Sequence, residues 1–131
     1  MDKRTILTGF NDHFREFIDD VLILFPNNKD VRAAHTALIG IRKANPILIC
    51  KVWKSAVVDI YQTEIERGNL DYFISKEYGK DFSSELQWIV IKLDYFRKPL
   101  KDISDTNKEK VLKYLQNLGK LCNLYFSNSD I

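Results

Sequence analysis

Apolar positions recur along this chain at three- and four-residue steps, the spacing of one helix face. The first run spans Phe10 to Phe25: Phe10, Phe14, Phe17, Ile18, Val21, Leu24 and Phe25 form a stripe, with Asp12, Glu16, Asp19 and Asp20 opposite. Pro26 ends it, because the residue before a proline disfavours the α conformation. Asn28 is placed to cap a second helix from Lys29 to about Lys43, with Val31, Ala34, His35, Leu38 and Ile41 inward. The small residues Ala33, Ala34, Ala37 and Gly40 suggest a close helix neighbour there. Asn45-Pro46 reads as a cap followed by proline at the first helical position. A third helix is then expected from Pro46 to Arg67, stopped by Gly68-Asn69 and about 33 Å long. Its inward stripe is Ile49, Val52, Trp53, Ala56, Ile60 and Tyr61.

One or two helical turns are expected over Leu70–Tyr78, followed by a loop through Phe82. Ser84 with Gln87 forms a capping-box pattern that opens a fourth long helix to about Phe96. Leu86, Ile89, Val90 and Leu93 point inward there, and Trp88, Ile91 and Tyr95 widen the apolar face. Arg97-Lys98-Pro99 breaks the chain. Thr106 with Glu109 forms a second box, opening a last helix from Asn107 to about Tyr125. Val111, Leu115, Leu118, Cys122 and Tyr125 make its stripe. The fold class that follows is all-α: one domain over residues 1–131, about five main helices plus one short one, with 1–8 and 127–131 as flexible ends.

Composition fits a single domain with a sizeable core. The chain has 131 residues, 45% hydrophobic and 29% charged, with a formal net charge of +2. No segment approaches the ~18 apolar residues of a membrane span, and the N-terminus lacks a signal-peptide core, so a cytosol-like compartment without membrane contact is expected. Cys50 and Cys122 have no second Cys or His at metal-ligand spacing. They read as two buried reduced thiols, with a disulfide or a reactive thiol as the other readings. No metal or cofactor is expected.

Catalytic signatures are missing: there is no Gly-rich phosphate loop and no nucleophile elbow. His13 lies among the carboxylates of the first helix and reads as a surface histidine in a charge array, the alternative being a base oriented by Glu16. His35 reads as a hydrogen-bonded core histidine. Glu64 and Glu66, two apart on a helix, face different ways and make no acid/base pair. An enzyme is therefore not expected.

Charge is segregated. From Lys29 to Lys54 six basic residues stand against one acid, and from Arg97 to Lys120 seven against three. From Phe10 to Pro26 four acids stand against one Arg. Arg42, Lys43, Lys51 and Lys54 bracket the turn into the third helix, where a joint patch can contact phosphates. The other reading of these four is a solvated face. A second candidate is the stretch Tyr72, Tyr78, Lys80 and Phe82, where aromatics mixed with charges can form a recognition loop, or simply pin that loop to the core.

Several segments together resemble a known family. They are Phe10-Asn11-Asp12-His13-Phe14, Phe25-Pro26-Asn27, Asn45-Pro46 with Trp53, Gly68-Asn69-Leu70, Phe73-Ile74 and Lys76-Glu77-Tyr78. The family comprises small uncharacterised helical proteins encoded by large double-stranded DNA viruses of algae and other protists, the nucleocytoplasmic large DNA viruses. The resemblance covers about Phe10 to Tyr125 and rests on caps, turns and aromatic anchors. It carries over no catalytic residue. It implies a viral accessory or virion-associated protein, found in host cytoplasm or virion and not secreted. The expectation is a non-enzymatic protein working through protein–protein contacts, with another protein or with itself. The alternative is a nucleic-acid-binding module that uses the basic patch.

Overall fold

Asp2 starts the first helix: its carboxylate accepts the backbone N–H of Thr5 at 2.8 Å, which also holds that carboxyl below its ordinary value. In the computed structural model, which describes residues 2–75 and 84–127, α1 therefore runs Lys3–Leu24. Residues 3–8, expected as a loose end, are its first turns, and Ile6 is buried. The signal was present: Ile6 lies four residues before Phe10 and extends its stripe. α2 is Lys29–Ala44, with Asn28 accepting the Val31 N–H at 3.1 Å as expected of an N-cap. The small-residue face of α2 differs from expectation. Ala34 is buried and Ala37 half-buried, whereas Ala33 and Gly40 are exposed, and no described residue outside α2 comes within 4 Å of where a Cβ on Gly40 would lie.

α3 is a continuous helix of three joined pieces: α-helical Leu48–Trp53, a π turn over Lys54–Val58, and α-helical Asp59–Glu66. Asn45 and Pro46 form a turn before it, so proline does not occupy the first helical position. The π turn is closed by the Asp59 N–H donating to the Lys54 carbonyl, which fits one extra residue into the turn. One residue is about 100° of helix rotation. The inward face therefore passes to Val57, Val58, Tyr61 and Ile65, and Ile60, expected inward, is exposed. Gly68 stops α3 with φ +83°. Its N–H donates to the Ile65 carbonyl and the Asn69 N–H to the Glu64 carbonyl, the paired bonds of a Schellman motif.

α4 is the short helix Leu70–Ser75, its Tyr72 N–H capped by the Asn69 side chain. α5 spans Ser84–Arg97 and continues as a 3₁₀ turn over Lys98–Asp102. α6 is Asp105–Ser127. Its cap is Ser104, whose hydroxyl oxygen accepts the Asn107 N–H, and not Thr106. Ser104 has the same side-chain chemistry two positions earlier, and the helix takes the longer option.

The described residues form an all-α single-domain bundle of six helices. α3 packs against all five others, while α1 lies along α6 and α2 along α5. Trp53, on α3, sits edge-on to Phe10, Phe14 and Phe17 of α1 at 5.8–6.4 Å between ring centres. Gly119 of α6 faces the Gln62 side chain of α3, where a Cβ would lie 2.1 Å from Oε1 of Gln62. Among the described residues, no helix is long and apolar enough to cross a membrane.

Candidate functional site

The four cations at the α2–α3 turn have different fates. Arg42 turns back onto α1: its Nε donates to the Asn11 carbonyl at 3.1 Å and its Nη2 to Asp12 at 2.9 Å. Lys54, in the π turn, is bound by Asp59 of the same helix. Lys43 and Lys51 are exposed, and neither forms an ion pair with a described residue. Two of the four charges are thus held by carboxylates and two face solvent. Sequence placed all four near one turn, but the acidic face of α1 neutralises its nearest member.

Of the aromatic stretch, only Tyr72 lies among the described residues; Tyr78, Lys80 and Phe82 lie outside them. Tyr72 is half-buried and meets the Tyr61 ring edge-on, with centroids 5.8 Å apart. It is tied to α3 in the manner of a packing aromatic.

An exposed aromatic surface lies on α5. Trp88 is 49% exposed and Ile91 41% exposed, three residues apart and so on one helix face. Lys92 Nζ lies 5.8 Å from the Trp88 ring centre and 5.7 Å from that of Tyr95, within cation–π reach of both. Sequence reading put Trp88 and Ile91 on a widened core face. They face outward because α2 and α3 already cover Ile89, Val90 and Leu93 on the other side. The available signal was the apolar circumference of this helix, too wide for the neighbours to cover.

A polar seam runs along α1. Asp19 accepts from His35 of α2 at 2.6 Å and pairs with Arg15 at 3.6 Å. Asp20 accepts the hydroxyl of Tyr114 of α6. Burial, then that bond, pushes the Tyr114 phenol above its ordinary value of 10.0. The His13 ring meets that of Tyr114 at a 44° tilt, 4.9 Å between ring centres, with Nδ1 3.6 Å from Glu16. His35 is half-buried, not in the core. These bonds join α1 to both neighbours, so the seam acts as an interhelical clamp. A cleft of about 180 Å³ beside it runs between α1 and α6 past Asp20, Lys110 and Tyr114, where the acid and the phenol are already bonded to each other. Elsewhere, a cleft of about 480 Å³ lies between the start of α2 and the 3₁₀ turn, lined by Asn28, Asp30, Lys98 and Lys101.

Among the described residues, no three His, Cys, Asp or Glu side chains are grouped to hold a metal ion. Glu64 accepts from Asn69 and pairs with Arg67, and Glu66 accepts from Gln62, so each carboxylate has its own partner. Compared with protein-family models, curated proteins and solved structures, the chain matches none of them.

Proposed function

We propose that this chain is a non-enzymatic interaction protein that works through protein–protein contact, with the outer face of α5 as its contact surface. The observation that supports this is the half-exposed Trp88 beside Ile91. A solvent-exposed indole leaves a large apolar area in water, and tryptophan is the residue most enriched at binding hot spots. Lys92 across both rings gives that surface a charged margin. The resemblance to proteins of large DNA viruses supplies the setting in this reading: a viral accessory or virion-associated role, with another viral protein or a second copy as partner.

The chain has two tryptophans, and Trp53 is 2% exposed, so collisional quenching by acrylamide reports mainly on Trp88. Association should protect that emission. A Trp88→Ala/Ile91→Ala double variant should weaken association at least about tenfold while leaving the fold intact, because both side chains leave the core untouched. Sedimentation and co-purification of tagged wild type and variant from the native host give the comparison. A monomer with no co-purifying viral protein, or equal association by both chains, removes this reading.

The second reading is sequence-independent nucleic-acid binding, and what supports it is the exposure of Lys43 and Lys51. Two phosphate contacts give about a tenfold loss of affinity between about 50 and 200 mM salt, whereas four give about a hundredfold or more. Fluorescence anisotropy on a mixed-sequence duplex and a single strand should show the shallow dependence or no binding. A steep one would mean that Arg42 and Lys54 leave their carboxylates for phosphate. Unchanged binding by a Lys51→Glu/Lys54→Glu variant would dispose of the nucleic-acid reading.

A further inference from the structure

The chain has two cysteines, 72 positions apart, and folding brings them into contact. Cys50 is on the inner face of α3 and Cys122 is near the end of α6. Both are fully buried. Their sulfurs are 3.9 Å apart, and the Cys122 thiol also lies 3.5 Å from the Cys50 carbonyl oxygen. A buried cysteine serves as a small hydrophobe and needs no second cysteine. Here both cysteines of the chain meet across one helix–helix interface. A disulfide holds its sulfurs about 2.05 Å apart, so a sulfur movement of about 2 Å closes the gap.

We propose that Cys50 and Cys122 are an oxidation site, and that their intramolecular disulfide staples α3 to α6. The oxidant class is a low-molecular-weight disulfide such as oxidised glutathione. One cysteine thiolate attacks a glutathione sulfur and expels one glutathione thiolate, leaving a mixed disulfide on the protein. The second cysteine thiolate attacks the protein sulfur of that bond and expels the other glutathione. Two electrons pass to glutathione, which leaves as two thiols, and the two cysteine protons end on them. The bond forms while the core is opening or folding. In the closed core, contact with Cys50 and burial raise the Cys122 thiol above its ordinary value, and the thiolate that exchange requires is suppressed. The proposal is independent of the contact surface on α5.

The test folds the full chain through the reactive window. Reduced, urea-unfolded protein is diluted into native buffer containing reduced and oxidised glutathione. The mixture is quenched with acid, free thiols are alkylated with N-ethylmaleimide, and the intact mass is read. The expected product carries no maleimide, has lost the two thiol hydrogens, and yields a peptide joining the Cys50 and Cys122 segments. Its unfolding midpoint should lie about 10 °C above that of the same sample treated with dithiothreitol, because the bond closes a long loop of the unfolded chain. Cys50→Ser and Cys122→Ser chains should each lack the joined peptide. The wild-type comparison with and without reductant decides the matter if a serine variant fails to fold. Two maleimides on the folded chain, a lasting glutathione adduct, a cross-linked dimer, or a disulfide that lowers the midpoint would each overturn the proposal.

Discussion

Trp53→Ala is expected to destabilise the protein by about 3–5 kcal/mol, the range for deleting a fully buried aromatic side chain. Trp53 is 2% exposed and meets three phenylalanines of α1 edge-on, so its loss opens a cavity between the central helix and α1. Against a total stability of about 5–15 kcal/mol for a domain of this kind, that is enough to leave a visible unfolded fraction at 37 °C. The indole N–H is buried and has no hydrogen-bond partner among the described residues. Trp53→Phe should therefore be much milder, about 1–2 kcal/mol, since it keeps most of the ring packing and removes an unpaired donor. Urea unfolding of the three proteins measures both differences. A change below about 1 kcal/mol for the alanine variant would mean that α1 does not pack on α3 as described.

Arg97→Ala is the second large effect, at about 2–3 kcal/mol, as a buried charged group is removed from its bonds. Its guanidinium, 4% exposed, closes α5. Nε donates to Asp94 at 2.8 Å, and Nη1 donates to the buried Phe73 carbonyl of α4 at 3.2 Å. The side chain also lines a void of about 10 Å³ beside Trp53 and Phe96, so truncation enlarges a space that is nearly closed. The cost stays below that of a fully stranded buried ion, because Lys98 remains 3.3 Å from Asp94 and keeps that carboxylate paired. Arg97→Lys keeps one charge but loses the planar fork that serves two acceptors, and should fall between wild type and alanine. Amide exchange locates the effect: protection over Leu70–Ser75 should fall more than protection in α1. A uniform loss along the chain would argue against Arg97 as the link between α4 and α5.

The α6 stripe shows how far periodicity reaches. Val111, Leu115, Leu118, Cys122 and Tyr125 are all buried, as their four- and three-residue steps predict. The Asn28 cap and the glycine stop at Gly68 were also legible, because each depends on bonds between residues only a few positions apart. α3 marks the limit. Its stripe is right through Ala56 and then fails at Ile60, since the π turn has no distinctive residue of its own and is stabilised by what its rotated face packs against. Trp88 and Ile91 fail for a related reason. An apolar residue on a helix has a direction, but whether that direction meets a neighbour depends on where the other helices lie.

The candidate chemistry divides along the same line. By itself the sequence determined that the chain is a helical bundle with segregated charge and two cysteines far apart, because helix formation follows local spacing. Only the tertiary structure decided that α1 carboxylates take up Arg42 and His35, that an indole on α5 faces solvent, and that Cys50 meets Cys122. Each of these relations joins different helices or depends on how they pack. Such relations follow from the order and angles in which six apolar stripes bury one another, which no window along the chain contains.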